Sequence, residues 1–592
     1  MAQQDKVDVV TVGAGFTGAI LAQKLTAKGL KVVSLEQGEN RETVPDFTQP
    51  MQHDELRYQT RRDMMVDLSQ ETWTWRPSPK DPALPMRQYG SFNPGKGVGG
   101  ASIHWTAQNW RFYPTDFQYR SHVIERYGAD KLPDGNRIQD WPVTYDDLEP
   151  YYDAYEYDIG ASGKAGNLKG KQIEGGNIFE GSREREYPLP PFPMSISATM
   201  FEDTTKELGY HPFPQPAGIT SQGYTDPFGN QRGACTMCGF CTRFGCEVNA
   251  KSSAITTYIP VAMATGNYEI RTGCYVYNID TDKDGKATGV SYIDPTGREQ
   301  FQPADIVIAS AYTLMNIKLL LMSTSESHRD GVGNDWGMVG KNYTYQLGGG
   351  GSSGLVEGKH LNRFMANGVV QALIHDFNAD NFDHSDLDFI GGASIGCGGG
   401  QRNPISSAGG VPTESGKRWG QDWKDALRKN WDSVLSVGTQ GESLPYEDQY
   451  LDLDPTYKDR FGFPLLRLTF DWHQNDYNMI RFLSKKIREI VEHMDGVTNI
   501  TTSEELHPYS IAPYQSTHCT GGAIMGTDPG NSVVNKYSQV WDTPNVFVTG
   551  ASNFPQNAGM NPTGTVCALA YHTADGIISK YLDSPGEVIS DA

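Results

Sequence analysis

Residues 7–36 constrain the fold more than any other stretch. Val7, Val9, Val10 and Val12 make a short, nearly continuous apolar run of the kind a buried parallel strand uses. Gly13-Ala14-Gly15-Phe16-Thr17-Gly18 follows at once. Leu21, Ala22 and Leu25 then recur at helical spacing, and Gly29 stands where a helix ends. Leu30 to Leu35 is a second apolar run, closed by Glu36. Strand, glycine turn, helix, strand and acid, in that order, predict a βαβ unit that holds a dinucleotide. Gly13 permits the sharp turn, Gly15 lets backbone approach a pyrophosphate, and Gly18 lets helix and strand pack closely. The helix N-terminus turns its N–H groups to the phosphates. Glu36 is spaced to accept from a ribose hydroxyl. Taken alone, the glycine motif also fits a tight turn with no ligand.

The chain has 592 residues, room for roughly two to four domain-sized units. Its formal charge of −21 argues against nucleic acid and anionic lipid as partners. Mean hydropathy is −0.51, and no apolar run approaches the ~18 residues of a membrane span. No signal-peptide core precedes Val7, so the chain by itself is expected to be soluble and not a Sec substrate.

Residues 40–90 read as an excursion over the surface, 145–157 as an acidic, aromatic helix and 160–195 as loops. Strands are expected at 268–271, 275–279, 289–293 and 305–309, with Asp284-Gly285 as a hairpin turn. A helix carrying Leu314, Ile317, Leu320 and Leu321 follows. Residues 345–470 are glycine-rich and strand-like, and 475–494 is an amphipathic helix.

A second glycine-rich stretch, Gly97-Val98-Gly99-Gly100, leads to His104-Trp105. Bare backbone of this kind approaches a flat ring or a phosphate; a flexible surface loop is the plainer alternative. Near the C-terminus, His518 sits in Ser516-Thr517-His518-Cys519-Thr520-Gly521-Gly522. A buried strand at 546–549 runs into Gly550-Ala551-Ser552, and Asn561-Pro562-Thr563 opens a helix, with Asn561 suited to the N-cap and Pro562 to the first helical position. The positive end of that helix suits negative charge on a redox ring. Oxidation of an alcohol by hydride transfer needs a base for the hydroxyl proton, and a neutral histidine supplies it. His518 fits the base, and Asn561 fits the group that holds the oxygen. A core histidine and a capping asparagine are the structural alternatives.

Eight cysteines are too few for a disulfide scaffold, yet Cys235, Cys238, Cys241 and Cys246 crowd together. Cys-x2-Cys-x2-Cys spacing favours an iron–sulfur cluster. Free or disulfide-bonded cysteines and a zinc site stay open. Cys274, Cys397, Cys519 and Cys567 are scattered and read as small core side chains.

These motifs together resemble the glucose–methanol–choline (GMC) oxidoreductase superfamily over nearly the whole chain. Val339-Gly340-Lys341-Asn342 also resembles a family segment, and Asp376 to His384 and Tyr450 to Asp459 are similar to its gluconate 2-dehydrogenase flavoprotein branch. The resemblance implies FAD and an α/β fold in two domains. A Rossmann-like FAD-binding domain is implied at 1–165, 230–345 and 512–592. A substrate domain with a large antiparallel sheet is implied at 166–229 and 346–511. It further implies that His518 and Asn561 face flavin N5, that Gly97, Gly99, Gly100, Gly550, Ala551, Pro562 and Thr563 join Gly13, Gly15, Gly18 and Glu36 around the cofactor, and that His104 matches a position some relatives bond covalently to flavin. Related sugar dehydrogenases hold a 3Fe–4S cluster in this region on three cysteines with a different spacing. The implied reaction is oxidation of a sugar or sugar acid, D-gluconate to 2-keto-D-gluconate first, with pyranose or glycoside C3 oxidation and an oxygen-using oxidase as alternatives. A non-catalytic flavin redox protein is the alternative of another class. An acidic substrate needs a cationic clamp, for which Arg111, Arg363 and Arg402 are candidates. Implied partners are a small export subunit and a multihaem cytochrome c subunit, at the periplasmic face of the inner membrane; the chain alone reads as cytoplasmic.

Overall fold

The computed structural model describes residues 2–48, 61–87, 93–398, 405, 408–510 and 517–590. The opening βαβ unit forms as its pattern demands: β1 (Val7–Val12), α1 (Phe16–Thr26) and β2 (Val32–Leu35). β1 pairs in parallel with β2 and with β3 (Glu299–Ala309), in the register Val9 to Ile306 and Val12 to Ala309. Tyr268–Arg271 pairs outside β2, and β4 (Val546–Val548) pairs on the other side of β3, so five strands run parallel. All four residues of β2 are buried, as a sheet covered on both faces requires. β3 does double duty. Its second half joins the parallel sheet, while its first half pairs with Ala287–Ile293, which returns to Tyr275–Thr281 through the Asp284-Gly285 turn.

A second sheet has six strands, all antiparallel, in the order Val497–Ser503, Leu347–Val356, Val434–Gly441, Ala393–Gly398, Gln371–Ile374, Phe213–Pro214. The helix Gln474–His493 packs Met479, Ile480, Leu483, Ile487, Ile490 and Val491 into the core of this sheet. Two sheets of different connectivity, each with its own core, give the two-domain α/β fold expected from the sequence.

Two expectations need correction. Residues 61–87 are not a surface excursion: Met64, Val66, Leu68 and Trp73 are buried, and Thr74–Arg76 pairs with Pro464–Thr469. Phe47, a little earlier, is buried as well. Their apolar area outweighs the polarity of the intervening residues. The last α-helix, α2 (Thr563–Gly576), begins one residue later than expected, with Pro562 at its N-cap and no side chain capping it. Asn561 is thereby released from a capping role.

Candidate active site

The carboxyl ends of β1, β2, β3 and β4 meet at one cavity of about 460 Å³, within the range of cofactor sites. Open α/β sheets bind ligands at this edge. Gly13, Gly15, Glu36, Gly100, Gly550, Ala551, Pro562 and Thr563 line it, together with His518 and Asn561. Gly18, Gly97, Gly99 and His104 do not line it.

The glycines divide by what a side chain would meet. Gly13 has φ +100°, and a Cβ there would lie 2.9 Å from the Ser310 carbonyl oxygen. At Gly18 a Cβ would lie 2.4 Å from the Gly13 oxygen, so this residue packs helix on strand. Gly97 and Gly99 have φ of +140° and +93° and shape the second glycine loop. Gly15 differs. Its φ of −77° suits any residue, and a Cβ would meet nothing within 4 Å. Neither backbone strain nor protein packing requires glycine there. Bare backbone facing the cavity at the uncapped N-terminus of α1 fits a bound pyrophosphate.

Glu36 is buried and its carboxylate accepts backbone N–H bonds from Ala14 at 3.1 Å, Gly38 at 2.9 Å and Gly97 at 3.1 Å, with the Gln37 N–H a further donor. It ties the two glycine loops together. Burial pushes its pKa up against those bonds. Arg243 and Lys318 are the cationic side chains lining the cavity among the described residues. Lys318 is paired with Asp459 at 2.8 Å. Arg243 forms no ion pair among the described residues, and burial lowers its pKa. It sits between Cys241 and Cys246, a position the sequence reading passed over.

The chemistry gathers around His518 and Asn561. The Asn561 side-chain oxygen accepts from Trp110 Nε1 at 3.1 Å and from Gln440 Nε2 at 2.9 Å. Indole N–H only donates, so this atom of Asn561 is its oxygen. The Asn561 amide nitrogen then faces His518 Nε2 at 2.8 Å. Nε2 is therefore the acceptor, and the imidazole proton sits on Nδ1. Burial lowers the His518 pKa to about 4, which keeps the ring neutral at physiological pH. His518 has φ +62°, an uncommon value for a side-chain-bearing residue. Trp110 and Gln440, which fix the direction of this amide, were missed by the sequence reading.

His104 is fully buried, with Nε2 3.1 Å from the Asn93 oxygen and a pKa lowered by burial to about 3. Of the arginines considered as clamps, Arg111 is engaged by Glu156 and Glu149. Arg363 bonds to the Val434 carbonyl away from the cavity. Arg402 and Ser516 lie outside the described residues.

The cysteine loop abuts the cavity, because Thr242 and Arg243 line it. Each sulfur accepts an N–H. Cys235 takes Met237 N at 3.4 Å, and Cys246 takes Lys251 N at 3.4 Å. Phe240 and Gly368 N–H serve Cys238 and Cys241. The buried Lys251 ammonium beneath them donates to the carbonyls of Trp105, Cys241 and Phe244 at 2.6–2.9 Å. Donors and a cation around four sulfurs suit ligated thiolates, because burial alone pushes the Cys235, Cys238 and Cys241 thiols up. No three of these sulfurs lie within 4.8 Å of one another, whereas one tetrahedral zinc at about 2.3 Å holds its sulfurs closer than that. The remaining cysteines, Cys274, Cys397, Cys519 and Cys567, are buried as expected.

A parallel-sheet cradle joined to a neutral histidine held by an oriented amide defines a dinucleotide-dependent oxidoreductase. Comparison with known proteins narrows the class. GMC oxidoreductase family models match residues 139–347 and 445–570. The chain is 41% identical to the gluconate 2-dehydrogenase flavoprotein of Pantoea cypripedii, over 99% of this chain and 95% of that one. It is 28% identical to the 2-methyl-1,2-propanediol dehydrogenase of Mycolicibacterium austroafricanum, over 98% and 96%. It is 26% identical to the fructose dehydrogenase large subunit of Gluconobacter japonicus, over 97% and 98%. The crystal structure of pyridoxine 4-oxidase from Mesorbium loti shares the fold, with a TM-score of 0.58 at 17% identity, covering 96% and 98% of the two chains. The protein belongs to the GMC oxidoreductase family and is an FAD-dependent dehydrogenase.

Proposed function

We propose that this dehydrogenase oxidises a sugar acid at a secondary alcohol, with D-gluconate to 2-keto-D-gluconate as the leading reaction. The observation that carries it is the His518–Asn561 pair on the cavity wall, with His518 Nε2 an unprotonated acceptor that the Asn561 amide holds in place. FAD, when bound, supplies the hydride acceptor. The substrate loses a hydride from carbon and a proton from oxygen; His518 Nε2 takes the proton, and the Asn561 amide holds the oxygen. The identity to a gluconate 2-dehydrogenase flavoprotein supports the substrate.

The N–H donors on Cys235, Cys238, Cys241 and Cys246 support an iron–sulfur cluster there, which when bound carries electrons singly. The loop's place on the cavity wall suits an exit toward a cytochrome c or quinone partner. A separate anchoring subunit at the periplasmic face accords with the lack of any helix long and apolar enough to span a membrane among the described residues. His104 Nε2 is committed to the Asn93 carbonyl, so acid precipitation is expected to release the flavin into the supernatant.

The test is anaerobic visible spectroscopy of the holoenzyme mixed with D-gluconate. Bleaching of the flavin band is the expected result. An unbleached band that dithionite still reduces removes gluconate, and neutral pyranoses and glycosides take its place.

A further inference from the structure

We propose that His328, Asp335 and Asp542 form a binding site for a first-row divalent cation, apart from both the cofactor cavity and the cysteine loop. His328 lies in the loop after Thr313–Met322, Asp335 farther along that loop, and Asp542 in the turn before β4. His328 Nδ1 is 3.5 Å from an Asp335 oxygen and 3.9 Å from an Asp542 oxygen. The three ligand atoms lie within 4.8 Å of one another.

The tautomer of His328 decides the matter. Nε2 lies 3.0 Å from the Gly285 carbonyl oxygen, which only accepts. Its second neighbour, Thr543 Oγ1 at 3.3 Å, donates its own hydrogen to Asp542 at 2.9 Å and so also accepts. Nε2 therefore carries the proton, and Nδ1 presents a lone pair. Nδ1 is buried, in a residue 2% exposed, and has no hydrogen-bond partner. A lone pair aimed at two carboxylates is repulsive unless a positive charge stands between them. Among the described residues no lysine or arginine pairs with either carboxylate.

The surroundings have the form of a metal's outer shell. The Gly285 carbonyl fixes the imidazole tautomer. Gly285 has φ +83° in its turn, and a Cβ there would lie close to Nε2, at 3.0 Å. Asp542 is held by Gly333 N at 3.0 Å and Asp335 N at 3.2 Å. Separations of 3.5 and 3.9 Å exceed the ~2.8 Å of a charge-assisted hydrogen bond. They approach the roughly 3.4 Å between tetrahedral ligands at about 2.1 Å from zinc. One imidazole and two carboxylates favour Zn²⁺, Mn²⁺ or Co²⁺ over Ca²⁺. Asp335 keeps 45% of its side chain exposed, which gives the ion a way in and leaves room for water as a further ligand. The ion would clasp the β-hairpin turn, the loop and the approach to β4.

Mn²⁺ is the probe, because thiolates of the cysteine loop bind it poorly. Chelator-treated holoenzyme is titrated with Mn²⁺, and the free ion is read by electron paramagnetic resonance. Wild type should bind one Mn²⁺ per chain, displaced by Zn²⁺, with a rise in Tm. Asp335→Asn, at a solvent-facing carboxylate, should lose that equivalent and the Tm rise while its flavin spectrum stays the same. His328→Gln should lose them too. Equal Mn²⁺ binding by wild type and Asp335→Asn would overturn the site. So would a wild type that binds neither Mn²⁺ nor Zn²⁺.

Discussion

The smallest decisive feature is a single assignment, the direction of the Asn561 amide. Trp110 and Gln440 hold its oxygen, so its nitrogen must meet His518, and His518 must wait as an unprotonated acceptor. Its pKa, lowered by burial to about 4, sets the pH dependence. The neutral ring is the active form, so the rate of flavin reduction should be flat from neutral pH down to near 4. Below that it should fall about tenfold per unit as the ring protonates. Stopped-flow reduction across pH reads this directly; a fall beginning near 6.5 would mean that the histidine is not desolvated. His518→Ala should lose about 10²–10⁴ in that rate while keeping its flavin. That His518 and Asn561 meet at the cavity accords with their residue types and glycine-rich neighbours in the sequence. Gln440 and Trp110 were not legible there, being 121 and 451 positions from Asn561 in the chain. No local pattern marks a residue whose only role is to aim another.

Elements fix where these residues stand. The turn between β1 and α1 offers Gly15 as bare floor, with a Cβ position that touches no protein atom. Gly15→Ala should therefore fold with an unchanged Tm in the flavin-free state, yet hold FAD at least ~10-fold more weakly, about 1.4 kcal/mol, as read by flavin retained on gel filtration. The helix Tyr145–Ile159 turns Glu156 inward against Arg111 and Arg183, at 2.8 and 2.7 Å. All three are buried, and the two guanidinium groups hold the Glu156 carboxyl down to about 2. Glu156→Gln would leave buried Arg111 with Glu149 alone and buried Arg183 with Glu180 alone, and denaturant unfolding should show a loss of about 3–5 kcal/mol. The helix itself could be read from its pattern. The triad could not, because Arg111 looks the same in a sequence whether it clamps a substrate or neutralises a core carboxylate. For residues 61–87 the polar composition misled, since a few large apolar side chains carry most of the area that packing buries.

At the scale of the whole molecule, the two sheets are stitched together by segments that cross between them, and the cysteine loop lies against the cavity they share. If that loop holds a cluster, iron and acid-labile sulfide should copurify with the flavin, and Cys238→Ser should lose both while FAD-dependent bleaching by substrate persists. Flavin without iron or sulfide, in protein purified anaerobically, would leave the cysteines as plain thiols. The domain pattern was visible in the sequence because strand runs and glycine turns repeat one family's order. The pairing of Thr74–Arg76 with Pro464–Thr469 was not, since nothing in either run names its partner. The parallel sheet carries a further consequence, for synthesis. Its strands come from residues 7–12, 32–35, 268–271, 299–309 and 546–548. The cavity is closed only by α2, at 563–576. At the usual ~5–20 residues per second, a ribosome takes roughly half a minute to two minutes between making the first wall of the flavin site and the last. A growing chain thus lacks a complete binding site until residues 563–576 are made. Cofactor loading waits for that helix, and any machinery that moves this protein between compartments with its flavin aboard must accept it already folded.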